Sequence, residues 1–275
     1  MSIAMKMNKN MKHSNLVWWG GYEEDQTPDN WGDILNTKLY SLISGVPINK
    51  INRIWLGDET STPRYYCIGS NLNHIYSDNA EVWGGGFEIG NYGVKVLPKK
   101  IHAVRGPLTR KSFLDLGAEC PEIYGDPALL YPIFYKPNVK KEYKYGIIPH
   151  FSHQEHPWLN KFKDDPQVNI IDVRDRTINK FVDEVNKCEI ILSSSLHGII
   201  CADSYSIPSY FIDLSPGEDE GVNYFKLNDY YMSVKRPLVK AYNIKNINHL
   251  DEFYCYNYTI DINLNKLLLS CPFLK

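Results

Sequence analysis

The chain has 275 residues, 43% of them hydrophobic and 23% charged, with 30 Lys and Arg against 32 Asp and Glu for a formal net charge of -2. A chain of this size and composition buries a sizeable core, carries a prior near two domains, and excludes disorder as its overall state. Near neutrality without a basic block argues against a dedicated nucleic-acid binder, and no apolar run approaches the roughly 18–20 residues of a membrane helix.

Residues 1–15 are too polar for a secretory signal core. The first buried strand is predicted at Leu16-Val17-Trp18-Trp19, closed by Gly20-Gly21. A polar loop leads to Asn30-Trp31-Gly32-Asp33 and into a helix, with Ile34, Leu35, Leu39, Leu42 and Ile43 at a helical period and Gly45 and Pro47 as its stop. Three further strands follow: Tyr65–Ile68 ending in Gly69-Ser70, Ala80–Trp83 ending in Gly84-Gly85-Gly86, and Ile101–Val104 ending at Arg105-Gly106. Pro107 opens the next helix and Gly117 closes it. A Gly125-Asp126-Pro127 turn comes next, then a polar, proline-containing stretch, Tyr135–Glu142, that reads as an inter-domain linker.

The pattern restarts beyond the linker. Strands are predicted at Tyr145–Pro149, Val168–Val173, Glu189–Leu192 and Ser209–Ile212. Ile178, Phe181, Val182 and Val185 lie on one helical face, a helix runs from about Ile199 to Tyr205, and the chain's end is predicted helical. Alternating strands and helices imply parallel sheets. The expected fold is therefore α/β, with two doubly wound Rossmann-like domains at 14–137 and 142–275. In such sheets ligands sit beyond the carboxyl ends of strands, which places the expected site in the cleft between the domains.

Ser193-Ser194-Ser195-Leu196-His197-Gly198 lies between a buried strand and a helix. That geometry offers backbone N–H groups, a helix dipole and the hydroxyls of Ser194 and Ser195 to an anion. His197 is placed at the helix start as acid, base or phosphate ligand. Arg105-Gly106-Pro107-Leu108-Thr109-Arg110 repeats the arrangement. The Arg105 fork suits a carboxylate or phosphate, or pairs within the protein with a carboxylate such as Asp126. Thr109 lies on the following helix. Asn30 and Asp33 read either as helix caps or as hydroxyl-binding and base groups in the cleft. Asp126 reads first as a turn residue and alternatively as a base. His150, His153 and His156 are three apart, but Pro149 and Pro157 break any helix that would align them on a metal, so His150 and His153 are assigned instead to an anionic substrate. Gly84-Gly85-Gly86 matches neither nucleotide fingerprint, Gly85 is kept as a ligand-approach position, and Lys226 is a further candidate cation. The 20 tyrosines and 6 tryptophans suit sugar stacking and core filling alike. The six scattered cysteines, without a C-x-x-C, read as reduced thiols of the cytoplasm.

Taken in order, Asn30-Trp31-Gly32-Asp33, Val82–Gly86, Val104–Thr109, Tyr124–Leu130 and Ser194–Gly198 resemble the polysaccharide pyruvyltransferase family, over about residues 15–235. The resemblance implies a glycosyltransferase-B-like pair of domains and transfer of the pyruvyl unit of phosphoenolpyruvate onto two hydroxyls of one sugar as a cyclic ketal. It implies an acceptor that is a cell-surface polysaccharide such as a capsule or exopolysaccharide, or its lipid-linked precursor at the inner face of the membrane. It calls for no cofactor and no metal, and it maps the family histidine onto His197. A nucleotide-sugar glycosyltransferase of the same fold, and a non-catalytic sugar-binding protein, are the alternatives.

Overall fold

The computed structural model describes residues 15–18, 30–46, 63–214, 224–238, 242–244, 247, 249–253 and 258–274. Trp19, Gly20, Gly21, Pro47 and Cys255, to which the sequence attaches expectations, lie outside the described residues. The first half holds β1 (Asn15–Val17), α1 (Trp31–Ser44), β2 (Arg64–Tyr66), β3 (Ala80–Trp83), β4 (Lys100–Ala103) and α2 (Pro107–Asp115). A 3-10 turn at Pro127–Ile133 leads out of it. The second half holds β5 (Tyr143–Ile148), β6 (Val168–Ile170), α3 (Ile178–Asn186), β7 (Cys188–Ser193), α4 (Leu196–Ser204) and β8 (Ser209–Asp213). After it come α5 (Phe225–Ser233), β9 (Tyr242–Asn243) and α6 (Leu264–Leu269).

Two parallel sheets result, one in the order β1-β2-β3-β4 and one in the order β6-β5-β7-β8-β9. The fold is α/β. The two sheets differ from the doubly wound expectation in one respect. Among the described residues the first sheet runs in chain order without reversal, and only the second reverses, between β5 and β7. Such a reversal opens a crevice beyond the carboxyl ends of the two strands. Here Ile148 pairs with Ser193, so the ends of β5 and β7 are level and the next residues of each meet.

Local chemistry fixes the helices that point at this crevice. Asn30 caps α1 by accepting the N–H of Asp33, and Gly45 closes it in the left-handed region at φ 68°. Pro107 starts α2, its missing N–H costing nothing at that position. The strands are buried on both faces, as parallel strands must be. Successive residues therefore enter different cores: Tyr65 and Tyr66, Ile147 and Ile148, Ile190 and Ile191 each divide between two apolar clusters.

One of these clusters runs continuously through both halves. Trp31, at the start of α1, stacks on Phe181 of α3 with centroids 5.3 Å apart, and its indole N–H donates to the Ile178 carbonyl. The C-terminal segment returns to the first sheet. The Trp83 indole donates to the Leu267 carbonyl at 2.9 Å, and Phe273 packs against Tyr40, Tyr65 and Trp83. A second clasp lies beyond α5. Arg236 binds the Asp203 carboxylate at 2.9 Å between the rings of Tyr231 and Tyr258. No helix of the described residues is long and apolar enough to cross a membrane.

Candidate functional site

The carboxyl ends of both sheets converge on His197. It is the second residue of α4, is 9% exposed, and its Nδ1 is 2.6 Å from Oδ1 of Asn30 in the other half. Asn30 also accepts the N–H of Asp33 at Oδ1 and donates from Nδ2 to the Asp33 carboxylate. The amide orientation is thus set by Asp33. Oδ1 faces the imidazole, so Nδ1 carries the proton and Nε2 keeps its lone pair. The result is a relay, Asp33 to Asn30 to His197, that joins the two halves. Its fit depends on Gly32: a Cβ there would meet the His197 ring at 2.2 Å.

Burial dominates the electrostatics of the imidazole, and the neighbouring cations Lys226 and Arg105 each have a carboxylate of their own, Glu88 and Asp229. Burial, then the charges of Lys226, His150 and Arg105, push His197 down to about 3, so it is neutral. Burial and Lys226 likewise push His150 down to about 4 and lower His153. His150 and His153 are held to the end of β7 by Ser194, whose Oγ accepts the His150 N–H at 2.8 Å and lies 3.1 Å from His153 Nδ1. Ser195 caps α4 with its backbone, and its hydroxyl bonds to none of the described residues. Lys226 meets Glu88 at 3.2 Å. His156 turns elsewhere, accepting the N–H of Trp158, so the three spaced histidines do not converge.

Several residues expected to face a ligand are instead consumed by the protein. Arg105 is fully buried. Its Nε donates to Asp229 at 3.0 Å, and its terminal nitrogens donate to the Ser70 hydroxyl at 2.7 Å and the Phe87 carbonyl at 2.5 Å. Thr109 gives Asp229 both its N–H, at 2.9 Å, and its hydroxyl, at 2.7 Å. The turn read as an anion site is one, and its anion is the protein's own Asp229 carboxylate at the start of α2. The expected partner of Arg105, Asp126, caps its own 3-10 turn through the Ala128 N–H and is 0% exposed. Burial pushes that carboxyl up to about 7. One carboxylate oxygen serves the cap, and the other is buried without a partner among the described residues. Gly85 lies under the Cys67 carbonyl, 3.1 Å from where a Cβ would stand, and serves internal packing rather than ligand approach. Ser194 is similarly spent on the histidines.

Asp229 and Glu88 escaped the sequence reading. The helical spacing of Lys226 and Asp229, three apart in Phe225-Lys226-Leu227-Asn228-Asp229-Tyr230, was the available signal that both face one way. Many of the described aromatics fill cores, among them Trp31, Trp83, Trp158, Tyr40, Tyr131 and Tyr230, while Tyr76 and Tyr92 are exposed. Among the described residues, five cysteines are unpaired and buried.

The polysaccharide pyruvyl transferase family model matches residues 82–216, a stretch that holds the glycine triplet, Arg105, Asp126, the paired histidines and His197. An uncharacterised protein of Acanthamoeba polyphaga mimivirus, L143, is 28% identical over 212 residues, covering 73% of this chain and 71% of that protein. The succinoglycan biosynthesis protein ExoV of Rhizobium meliloti is 29% identical over 172 residues, covering 59% of this chain and 51% of ExoV. A crystal structure of an uncharacterised protein from Klebsiella pneumoniae superposes with a TM-score of 0.46 at 14% identity, covering 85% of this chain and 94% of that one. Residues 82–216 thus match the polysaccharide pyruvyl transferase family.

Proposed function

We propose that the protein transfers the pyruvyl unit of phosphoenolpyruvate onto two hydroxyls of one sugar, as a cyclic ketal, in polysaccharide biosynthesis. The observation that carries the reading is His197, oriented across the two halves by Asn30 and surrounded by Lys226, His150 and Arg105. The family match over residues 82–216 and the likeness to ExoV support the reaction class. In this reading each sheet is the core of one Rossmann-like domain, divided within the 137–142 linker, in a glycosyltransferase-B-like pair. The reaction belongs to the cytoplasm, and the acceptor is a free or lipid-linked glycan.

The chemistry follows from the donor's charges. Phosphoenolpyruvate brings a carboxylate and a phosphate to the site, with Lys226, His150 and the Ser195 hydroxyl as ligands. Burial is the main force keeping His197 neutral, and the donor's anions, set beside the imidazole, favour its protonated form in the donor complex. The imidazolium protonates the methylene carbon of the enol while one sugar hydroxyl adds to the adjacent carbon and passes its proton to the imidazole so freed. The carbon–oxygen bond to phosphate then breaks. The second hydroxyl adds to the oxocarbenium-like centre, and its proton leaves with phosphate. Asp33 acts through Asn30, holding the imidazole in one tautomer. Arg105 contributes field from its buried seat.

The test is release of inorganic phosphate. It is expected to require both phosphoenolpyruvate and a sugar acceptor, and to survive a metal chelator. His197→Ala is expected to lower turnover by roughly 10²–10⁴-fold with folding nearly unchanged. A requirement for a nucleotide sugar, or activity lost to chelation and restored by manganese, contradicts the reading.

A further inference from the structure

Helix α5 lies in the chain between β8 and β9 of the second sheet and joins the halves: Tyr230 donates to Asp203 of α4, while another face is seated on the first half. Its backbone touches Gly106 so closely that a Cβ at Gly106 would stand 1.9 Å from the Asp229 carbonyl oxygen. The Asp229 side chain, 0% exposed, accepts from Arg105 Nε and from the Thr109 N–H and hydroxyl. A carboxylate with three donors at a helix N-terminus is a strong anchor. One turn earlier on the same face of α5 stands Lys226, paired with Glu88, the neighbour of the Phe87 whose carbonyl also binds Arg105. One seam therefore fixes both residues. Arg105 holds Phe87 and Asp229, and Glu88 and Lys226 close the gap beside them. The start of α5 stands at the carboxyl ends of β7 and β8: Tyr224, just before it, donates to Asp213 and packs on Phe211, which pairs with Ser193, the residue before the Ser194 that holds His150. There the Lys226 charge bears on His150, His153 and His197 of the other half.

We propose that Asp229 is a positioning residue for donor binding: it locks α5 onto the N-terminus of α2 and thereby sets the Lys226 ammonium against the histidine cluster, where it takes an anionic group of the donor. This rests on the reading of the site as a phosphoenolpyruvate site, and it adds a residue that touches no substrate. Glu88 then competes with the donor for Lys226.

The experiment is calorimetric titration of phosphoenolpyruvate into the wild type, Lys226→Met, Asp229→Asn and the double variant, with inorganic phosphate as a second probe. Lys226→Met is expected to weaken binding by about 10- to 100-fold, the loss of one charge-assisted contact. Asp229→Asn is expected to weaken it comparably, and the double variant to be no weaker than Lys226→Met alone, because the two act through one contact. Glu88→Gln is expected to tighten binding. Should Asp229→Asn fail to fold, Thr109→Val removes one donor to Asp229 while keeping both charges, and is expected to weaken binding less and only when Lys226 is present. Additive losses overturn the proposal. So does a folded Asp229→Asn or Thr109→Val that melts lower yet binds phosphoenolpyruvate with unchanged affinity. A wild type that binds phosphate but not phosphoenolpyruvate, with the same pattern across the variants, removes the donor assignment and leaves the role of Asp229 standing. A wild type that binds neither overturns both.

Discussion

Gly32 has no side chain, and the His197 ring occupies the space one would fill. The position is helical, so alanine there improves helix propensity by about 1 kcal/mol. Local stability and site geometry thus pull in opposite directions. Gly32→Ala is expected to fold and to keep α1 while displacing the imidazole from Asn30, with turnover falling by at least about 10²-fold, the lower end of what a positioned acid contributes. Histidine ring resonances in NMR check the displacement. Unchanged resonances with unchanged turnover would show that the ring needs no such contact.

Asp126 gives a second test at the same scale. Its carboxyl is raised from 3.8 to about 7 by burial, so the native state disfavours its charge. Below pH about 4 both folded and unfolded chains are protonated and nothing is lost. Between about 4 and 7 the unfolded chain ionises first, and stability falls by up to about 1.4 kcal/mol per pH unit before levelling above 7. Asp126→Asn keeps the capping oxygen and removes the titration. Relative to the wild type, the variant is expected to gain stability progressively from pH 4 to 8 in denaturant melts. A constant difference across that range would show that the carboxyl does not titrate in this window. The buried histidines work in the other direction, losing stability as pH falls below 6.5. The wild-type-minus-variant difference separates the two effects.

At the scale of elements, the C-terminal segment is joined to the first sheet by Trp83, Phe273 and α6, with Leu267 fully buried among them. Leu267→Ala is expected to cost about 2–5 kcal/mol, the usual range for a buried leucine, and to lower the melting temperature of the whole chain. A fall confined to a small early transition would mean that the segment is an appendage. Eight of the nine described strands were legible as short apolar runs, several closed by a glycine, arginine or serine, while the two-residue β9 carried no such run. Helix α1 was legible from its period and cap, and the face of α3 from Phe181, Val182 and Val185. Helix α5 was not. Its apolar residues are few and its anchoring group is an aspartate, whose partners Arg105 and Thr109 lie 124 and 120 positions away. Periodicity reports which face is apolar. It carries no signal for a buried polar lock between distant segments, and for that reason Arg105 read as open to a ligand.

At the scale of the molecule, the two sheets share an apolar core on one side and meet across the His197–Asn30 contact on the other. The strand reversal between β5 and β7 brings His150 and Ser194 to the crevice, and the start of α5 brings Lys226. The site exists only where the halves meet. His197 and Ser195 follow from one strand end, Asn30 and Asp33 from a loop in the other half, and no single stretch contains the relay. The sequence carried the members of this group, and the order of its motifs carried the family. Which of them touch one another became readable only from the fold.

The central claim is that this shared centre forms a pyruvyl ketal from phosphoenolpyruvate. The measurement that tests it most directly is mass analysis of a panel of oligosaccharides incubated with phosphoenolpyruvate and either the wild type or a folded His197→Ala variant. The account predicts one acceptor gaining a single pyruvyl ketal, in step with released phosphate, with the wild type and at most a trace with the variant. An acceptor that instead gains a sugar from a nucleotide sugar, or equal ketal formation by the His197→Ala protein, would contradict it.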